Sequence, residues 1–430
     1  MSPTTASPTT SAKAQRAWCL YDWANSAFAT SVVSAILPPF FAAIAVKTMA
    51  APQATAMWGY ASAAALAVTA VLSPILGAAA DRLGQRKRML GVCVALGALG
   101  TLALALPLGS NWPLILGAFG VAFIAFACGN VLYDSLLPSV AAPEEMDAVS
   151  TRGFAWGYLG GGILLAVHVG LILFPTRFGL ANVGEATRVA FASVAAWWLL
   201  FSIPLFRHVP EPPREGAPTP LPQLAGAVLR QLGSTLAHIR AHRDLLRFLI
   251  AFWLYSDGIG TIIKMATIYG AELGFSQGHL IGSLLLVQLL AAPASLAFGR
   301  MAKPLGPQRA VIMGLMGYVA ITLYAYFLHH AWQFWVLAVM VAMFQGGTQA
   351  LSRSMFASLV PRKQVGEMFG FYSVSEKLAG VVGPILFGVV TQASGGGRLA
   401  TLTLLPLFIG GAWLLSTVDL QRGAREASAG

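Results

Sequence analysis

Charged and amide side chains are scarce in this 430-residue chain, so those set inside apolar runs are the ones that could do chemistry. Asp22, Asn25 and Ser26 lie at i, i+3 and i+4, with Ala29 at i+7, and share one helical face. Tyr255 and Asp257 open a second group, which Thr261 and Lys264 continue at i+4 and i+7 from Asp257. Gln345, Thr348, Gln349 and Ser352 make a third strip that ends in Arg353. Glu376 and Lys377 are adjacent and so point to different faces. Ionisable groups within a bilayer are costly and face a cavity or a partner. Two readings follow for each group: binding of a polar solute or ion, or pairing and gating. The solute or ion candidates are Asp22, Asn25, Ser26, Tyr255, Asp257, Lys264, Gln345 and Gln349. Arg353–Glu376 is an expected pair between helices. His168 reads as a packed or hydrogen-bonded polar residue.

The elements that must position these groups are long apolar helices. Hydrophobic residues make up 57% of the chain and charged ones 10%, with mean hydropathy +0.71. A soluble domain carries roughly 25% charged residues, so lipid must cover this surface. Runs long enough to cross a bilayer lie near 20–46, 57–79, 89–107, 112–137, 153–174 and 188–206. A second six lie near 247–272, 277–299, 309–328, 332–356, 369–393 and 399–418. The expected organisation is a disordered tail over 1–16, a six-helix bundle over 17–206, a linker over 207–246, a second bundle over 247–418 and a tail over 419–430. Within the linker, 224–243 reads as an amphipathic helix on the membrane surface. Residues 1–16 lack the features of a signal peptide.

Charge placement sets an orientation. With both termini inside, twenty of the 27 basic residues fall in cytosolic segments and three within spans. The outer loops hold four: Lys47, Arg177, Arg188 and Arg398. This is the positive-inside pattern of a plasma-membrane protein, so the net charge of +11 reads as topology and nucleic acid is not an expected partner. Along the axis Asp22 lies about 9 Å beyond Arg16, nearer a gate than the midplane, whereas Asp257 lies about 15 Å beyond Arg247, close to the midplane.

The segment Gly77 to Lys87, carrying Gly77, Asp81, Arg82, Gly84, Arg86 and Lys87, fits G-x-x-x-D-R-x-G-x-R-[RK] at every defined position. Gly77 permits close helix approach, Gly84 permits a positive φ, and Asp81 suits the N-terminus of another helix. Asp134 is expected to pair with Arg82 or Arg86. A weaker copy with the same glycine spacing runs from Gly299 to Arg309, and Gly153-Phe154 is matched by Gly370-Phe371, so the two halves are an internal repeat. The Gly77–Lys87 segment resembles the signature of the major facilitator superfamily, whose fold is two pseudo-symmetric six-helix bundles. The resemblance implies that the helix met by Asp81 is the eleventh, across the bundle interface.

Tyr21-Asp22-Trp23-Ala24-Asn25-Ser26-Ala27-Phe28, with Tyr255-Ser256-Asp257-Gly258 and the run Gly346 to Ser354, resembles the vacuole-effluxer-like branch of that superfamily. The resemblance implies a secondary carrier, with amino acids or short peptides as the favoured solute, acting as a monomer. Proton coupling through Asp22 or Asp257 is one expectation of the residues. Rival readings are an exporter of amphipathic drugs or lipids and a transporter-like sensor. No nucleotide-binding loop, metal-ligand cluster or nucleophile–base pair stands out, so neither an enzyme nor a cofactor is expected.

Overall fold

A computed structural model describes residues 12–107, 111–212, 226, 230, 233, 239, 242–361, 364–378, 382–394 and 397–429. Every regular element among them is helical. Among the described residues, eleven helices are long and apolar enough to cross a membrane. In the first half they are span one (Ala12–Ala45), two (Ala51–Leu83), three (Arg86–Leu104), four (Trp112–Asp134), five (Met146–Leu173) and six (Val183–His208). In the second half they are seven (Arg243–Glu272), eight (Gln277–Leu305), nine (Pro307–Tyr326), ten (Ala331–Leu359) and twelve (Gly397–Ser416).

The described residues of the eleventh crossing, expected over 369–393, lie in helices Val365–Leu378 and Val382–Ser394, and residues 379–381 are outside the described set. The amphipathic helix expected over 224–243 lies outside the described residues, apart from isolated positions.

Both chain ends differ from simple tails. Span one already begins at Ala12, where Ala14, Ala17 and Trp18 are buried and Gln15 Nε2 donates to Glu145 at 2.9 Å. A last helix, Leu420–Ala429, is tied to the start of span seven by Arg422 Nε donating to Asp244 at 2.6 Å. Span one is also not uniform, since Phe28–Ile36 is π-helical. Such a stretch rotates the residues after it relative to an α-helical count, and it recurs at functional sites.

Successive spans run antiparallel, so the connections two–three, four–five, eight–nine and ten–eleven lie at one end. This is the end of the bundle that carries Gly77–Lys87, and it is called the motif end below. The repeat read from sequence has a geometric counterpart there. A Cβ on Gly77 would meet the carbonyl oxygen of Gly366 at 2.1 Å, at the start of span eleven. A Cβ on its counterpart Gly299 would meet Thr151 Oγ1 at 2.5 Å, at the start of span five. Each half thus sets a glycine of its second helix against the fifth helix of the other.

Candidate functional site

The two halves meet at the motif end through three polar contacts, each joining residues far apart in sequence. At the first, Asp81 is 9% exposed and its two oxygens accept from the Gly366 and Glu367 backbone N–H groups at 3.0 and 2.9 Å. Those N–H groups belong to the first turn of span eleven, which has no helical carbonyl to satisfy them and attracts an anion. Arg86 neutralises the same carboxylate at 2.7 Å, and its other nitrogen donates to the Ser135 carbonyl at 3.4 Å, just past span four. Lys87 Nζ donates to the Val209 carbonyl at 2.6 Å, at the end of span six. Gly84 closes span two with φ 62°. Arg82 is half-buried beside it.

The second contact is built on Arg353 of span ten, 4% exposed. Its guanidinium enters the first half and meets Asp134 of span four at 2.9 Å and Asp22 of span one at 3.4 Å. Nε donates to Ser150 Oγ at 2.9 Å and Nη2 to the Ser150 carbonyl at 3.0 Å, both on span five. Tyr133 donates to Asp22 at 2.7 Å. Phe154 and Trp18 sandwich the cation, with ring centroids 4.4 and 4.7 Å from Cζ, an arrangement that attracts a desolvated cation to the ring faces. Span one can come this close to span five because Gly153 and Gly157 have no side chains. A Cβ on Gly153 would lie 2.5 Å from Asp22 Oδ2, and one on Gly157 would lie 2.7 Å from Ser26 Oγ.

This geometry corrects two expected pairs. Arg353 goes to Asp22 and Asp134, while Glu376 is exposed. Asp134 goes to Arg353, while Arg86 goes to Asp81. One cation is shared by two acids because spans one, four and ten converge, and sequence spacing along any one helix carries no sign of that.

The third contact joins spans five and ten directly. Ser150 Oγ donates to the Ala350 carbonyl at 2.8 Å, and Ser354 donates to Asp147. Deeper in the bundle, Tyr158 donates to Gln349 Oε1 at 3.0 Å across the same interface, with Gln345 one helical turn away. Tyr255 and Ser352 share a 2.6 Å bond within the second half.

The remaining candidates are distributed differently from a single polar stripe. Asn25 donates to Asn130 Oδ1 of span four at 2.7 Å, and Ser26 faces span five. Asp257, 1% exposed, accepts from the Gly383 N–H of span eleven at 2.6 Å. Span eleven thus donates backbone N–H groups to a carboxylate of each half, Asp81 through Gly366 and Glu367 and Asp257 through Gly383. Lys264 is exposed on the Asp257 helix and feels its charge. His168 bonds Ser31 and Ser193 at 3.0 and 2.7 Å. Trp18, Tyr133, Ser150, Phe154 and Tyr158 were not candidates from sequence; only their nearness to a cation within a span could have marked them.

The sequence pattern of the family described as "Vacuole effluxer Atg22 like" matches residues 49–428. The chain belongs to this Atg22-like effluxer family. An "Uncharacterized MFS-type transporter YxiO" of Bacillus subtilis is 38% identical over 411 residues, covering 94% of this chain and 95% of that protein. Autophagy-related protein 22 of Yarrowia lipolytica is 29% identical over 312 residues, covering 65% of this chain and 51% of its relative. The chain thus spans about half the length of that fungal protein. Among solved structures, the human organic anion transporter MFSD10 superposes with TM-score 0.75 at 18% identity, covering 95% and 100% of the two chains. The proton:xylose symporter XylE superposes with TM-score 0.73 at 15% identity, covering 95% and 94%. These two likenesses establish the major facilitator fold. The Atg22-like chain is therefore an integral membrane protein of many spans and a transporter of the major facilitator superfamily, a class that carries small-molecule solutes.

Proposed function

We propose that this effluxer-family member is a secondary active carrier of a small polar solute, with amino acids or short peptides favoured. It works by rocking its two halves about a central site. The observation that carries this reading is Arg353, a cation of the second half held in an acidic and aromatic pocket of the first. With the motif end cytosolic, as the positive-inside pattern has it, the conformation is closed to the cytosol. Opening withdraws Arg353 and leaves Asp22 and Asp134 without the guanidinium that neutralises them. A proton, or a cationic group of the solute, then takes its place. That exchange couples ion or solute binding to the change of access, as population-shift arithmetic requires of any ligand that drives it. Tyr158, Gln345, Gln349, Tyr255 and Ser352 supply neutral donors and acceptors deeper in the bundle, and Asp257 with Lys264 offers one charge of each sign to a zwitterion.

The test is counterflow of labelled amino acids and dipeptides into proteoliposomes, with and without a pH gradient. Exchange that accelerates with an imposed proton gradient is the expected result. Absence of counterflow for every amino acid and peptide removes the solute assignment. Asp257→Asn keeps an acceptor for Gly383 but loses the charge, so transport is expected to fall by about tenfold or more, the equivalent of about 1.4 kcal/mol. The amount of folded protein should be unchanged; wild-type rates in that variant reduce Asp257 to a structural partner of Gly383.

A further inference from the structure

We propose that the cavity at the end opposite the motif is a binding site for an anionic phospholipid, whose phosphate is held by Lys47 and Arg188. The cavity has a volume of about 1330 Å³ and is formed by the far end of span one with parts of spans three, four, five, six and eight. Ile36, Phe40, Ile44, Leu165, Ile172 and Leu285 are among its apolar walls. Ser34, Asn182 and Thr187 add a few polar atoms, and no carboxylate is among its described lining residues.

The argument rests on what the four basic residues at this end do. Arg177 lies over the Phe174 ring at 5.1 Å. Arg398 donates to the Leu328 carbonyl at 3.0 Å and meets His329 at 3.0 Å. The side chains of Lys47 and Arg188 make no hydrogen bond, ion pair or ring contact with any described residue, and both line this one cavity. Membrane proteins hold few cations on this face, so two that line one apolar-walled cavity without a partner among the described residues call for an external anion. Two like charges beside a poorly solvated surface repel, and one phosphate relieves both.

The apolar walls select among anions. A small free anion satisfies the cations but leaves the walls uncovered, whereas acyl chains bury them at about 25 cal/mol per Å². A zwitterionic lipid brings its own ammonium into the field of the two cations. The ligand chemistry that fits both features is a lipid with a net negative headgroup. This site is separate from the Arg353 contact and does not depend on the nature of the transported solute.

The test is thermal unfolding of the delipidated full chain in a neutral detergent, with added phosphatidylglycerol or phosphatidylcholine of matched acyl chains. Phosphatidylglycerol is expected to raise the unfolding temperature by a few degrees more than phosphatidylcholine. In Lys47→Gln/Arg188→Gln that difference is expected to vanish, while the unfolding temperature without lipid stays at the wild-type value. Should the double variant not fold, photo-crosslinking of wild type with an azido-phosphatidylglycerol serves instead, with label expected on peptides spanning 34–47 or 182–188. Equal shifts from the two lipids, a selective shift that survives in the double variant, an equal shift from inorganic phosphate alone, or label elsewhere each overturns the proposal.

Discussion

Arg353→Met is expected to reduce counterflow to about 1% of wild type or less and to lower stability by about 3–5 kcal/mol, the usual result of breaking a buried charge pair from one side. The loss arises less from the missing attraction than from what is left behind. Asp22 and Asp134 remain at the interface with no guanidinium, and Ser150 loses the donors to its hydroxyl and its carbonyl. Arg353→Lys retains the charge, but a single ammonium cannot reach Asp134, Asp22 and Ser150 together or lie flat between Trp18 and Phe154. An intermediate stability with transport still impaired is therefore expected. The decisive variant is Arg353→Met with Asp22→Asn and Asp134→Asn. Removing the orphaned charges should restore most of the stability without restoring transport, because the neutral cluster no longer responds to solute or proton. Thermal unfolding and counterflow on the same preparations separate the two effects. If Arg353→Met alone transports at the wild-type rate, the cluster is not part of the cycle.

How much of this site was legible depends on how local its causes are. Gly84 is closed by its own backbone, and a glycine between Leu83 and Gln85 after a long helix already signals the left-handed turn found there. The partner of Asp81 is not local, and spacing alone says only that such a carboxylate suits some helix N-terminus; the family resemblance pointed to the eleventh helix. For Arg353 the apolar context flagged a charge in need of a partner, but its choice depends on helix rotation. The π-helical stretch over Phe28–Ile36, the glycines of span five that admit span one, and the placement of span four beside both lie outside any one-dimensional pattern. Hence Glu376, a neighbour on the next helix, was the natural but mistaken choice.

Gly77→Val is expected to unlock the motif end. The Cβ of any residue at position 77 would stand 2.1 Å from the Gly366 oxygen, 2.5 Å from its carbonyl carbon and 2.9 Å from the Glu367 nitrogen. These are backbone atoms, so no rotamer relieves the clash and the two helices must part. The neighbouring contacts are equally tight, since a Cβ on Gly366 would lie 2.5 Å from Asp81 Oδ1 and one on Gly370 would lie 2.6 Å from Pro74 Cα. Separation by an ångström or more stretches the two hydrogen bonds that Asp81 accepts beyond useful length. Hydrogen bonds to a charged group contribute about 1.5–3 kcal/mol each, so losing both shifts the balance of states by a factor on the order of 100 or more. Asp81→Asn leaves one acceptor oxygen for the two N–H groups and gives up both the charge at the helix terminus and the 2.7 Å pair with Arg86, so it weakens the same contact. Gly77→Val acts on the approach of the two halves rather than within either, so expression and unfolding temperature should hardly change. Cysteine accessibility reads the difference. In a background lacking Cys19, Cys93 and Cys128, a cysteine at Thr151, 2% exposed beside Gly299, should be protected in the parent. With Gly77→Val it should react with a membrane-impermeant maleimide supplied at the motif end about tenfold faster or more, a conservative fraction of that shift. Unchanged labelling in a folded Gly77→Val protein means that the approach of spans two and eleven does not hold this end shut.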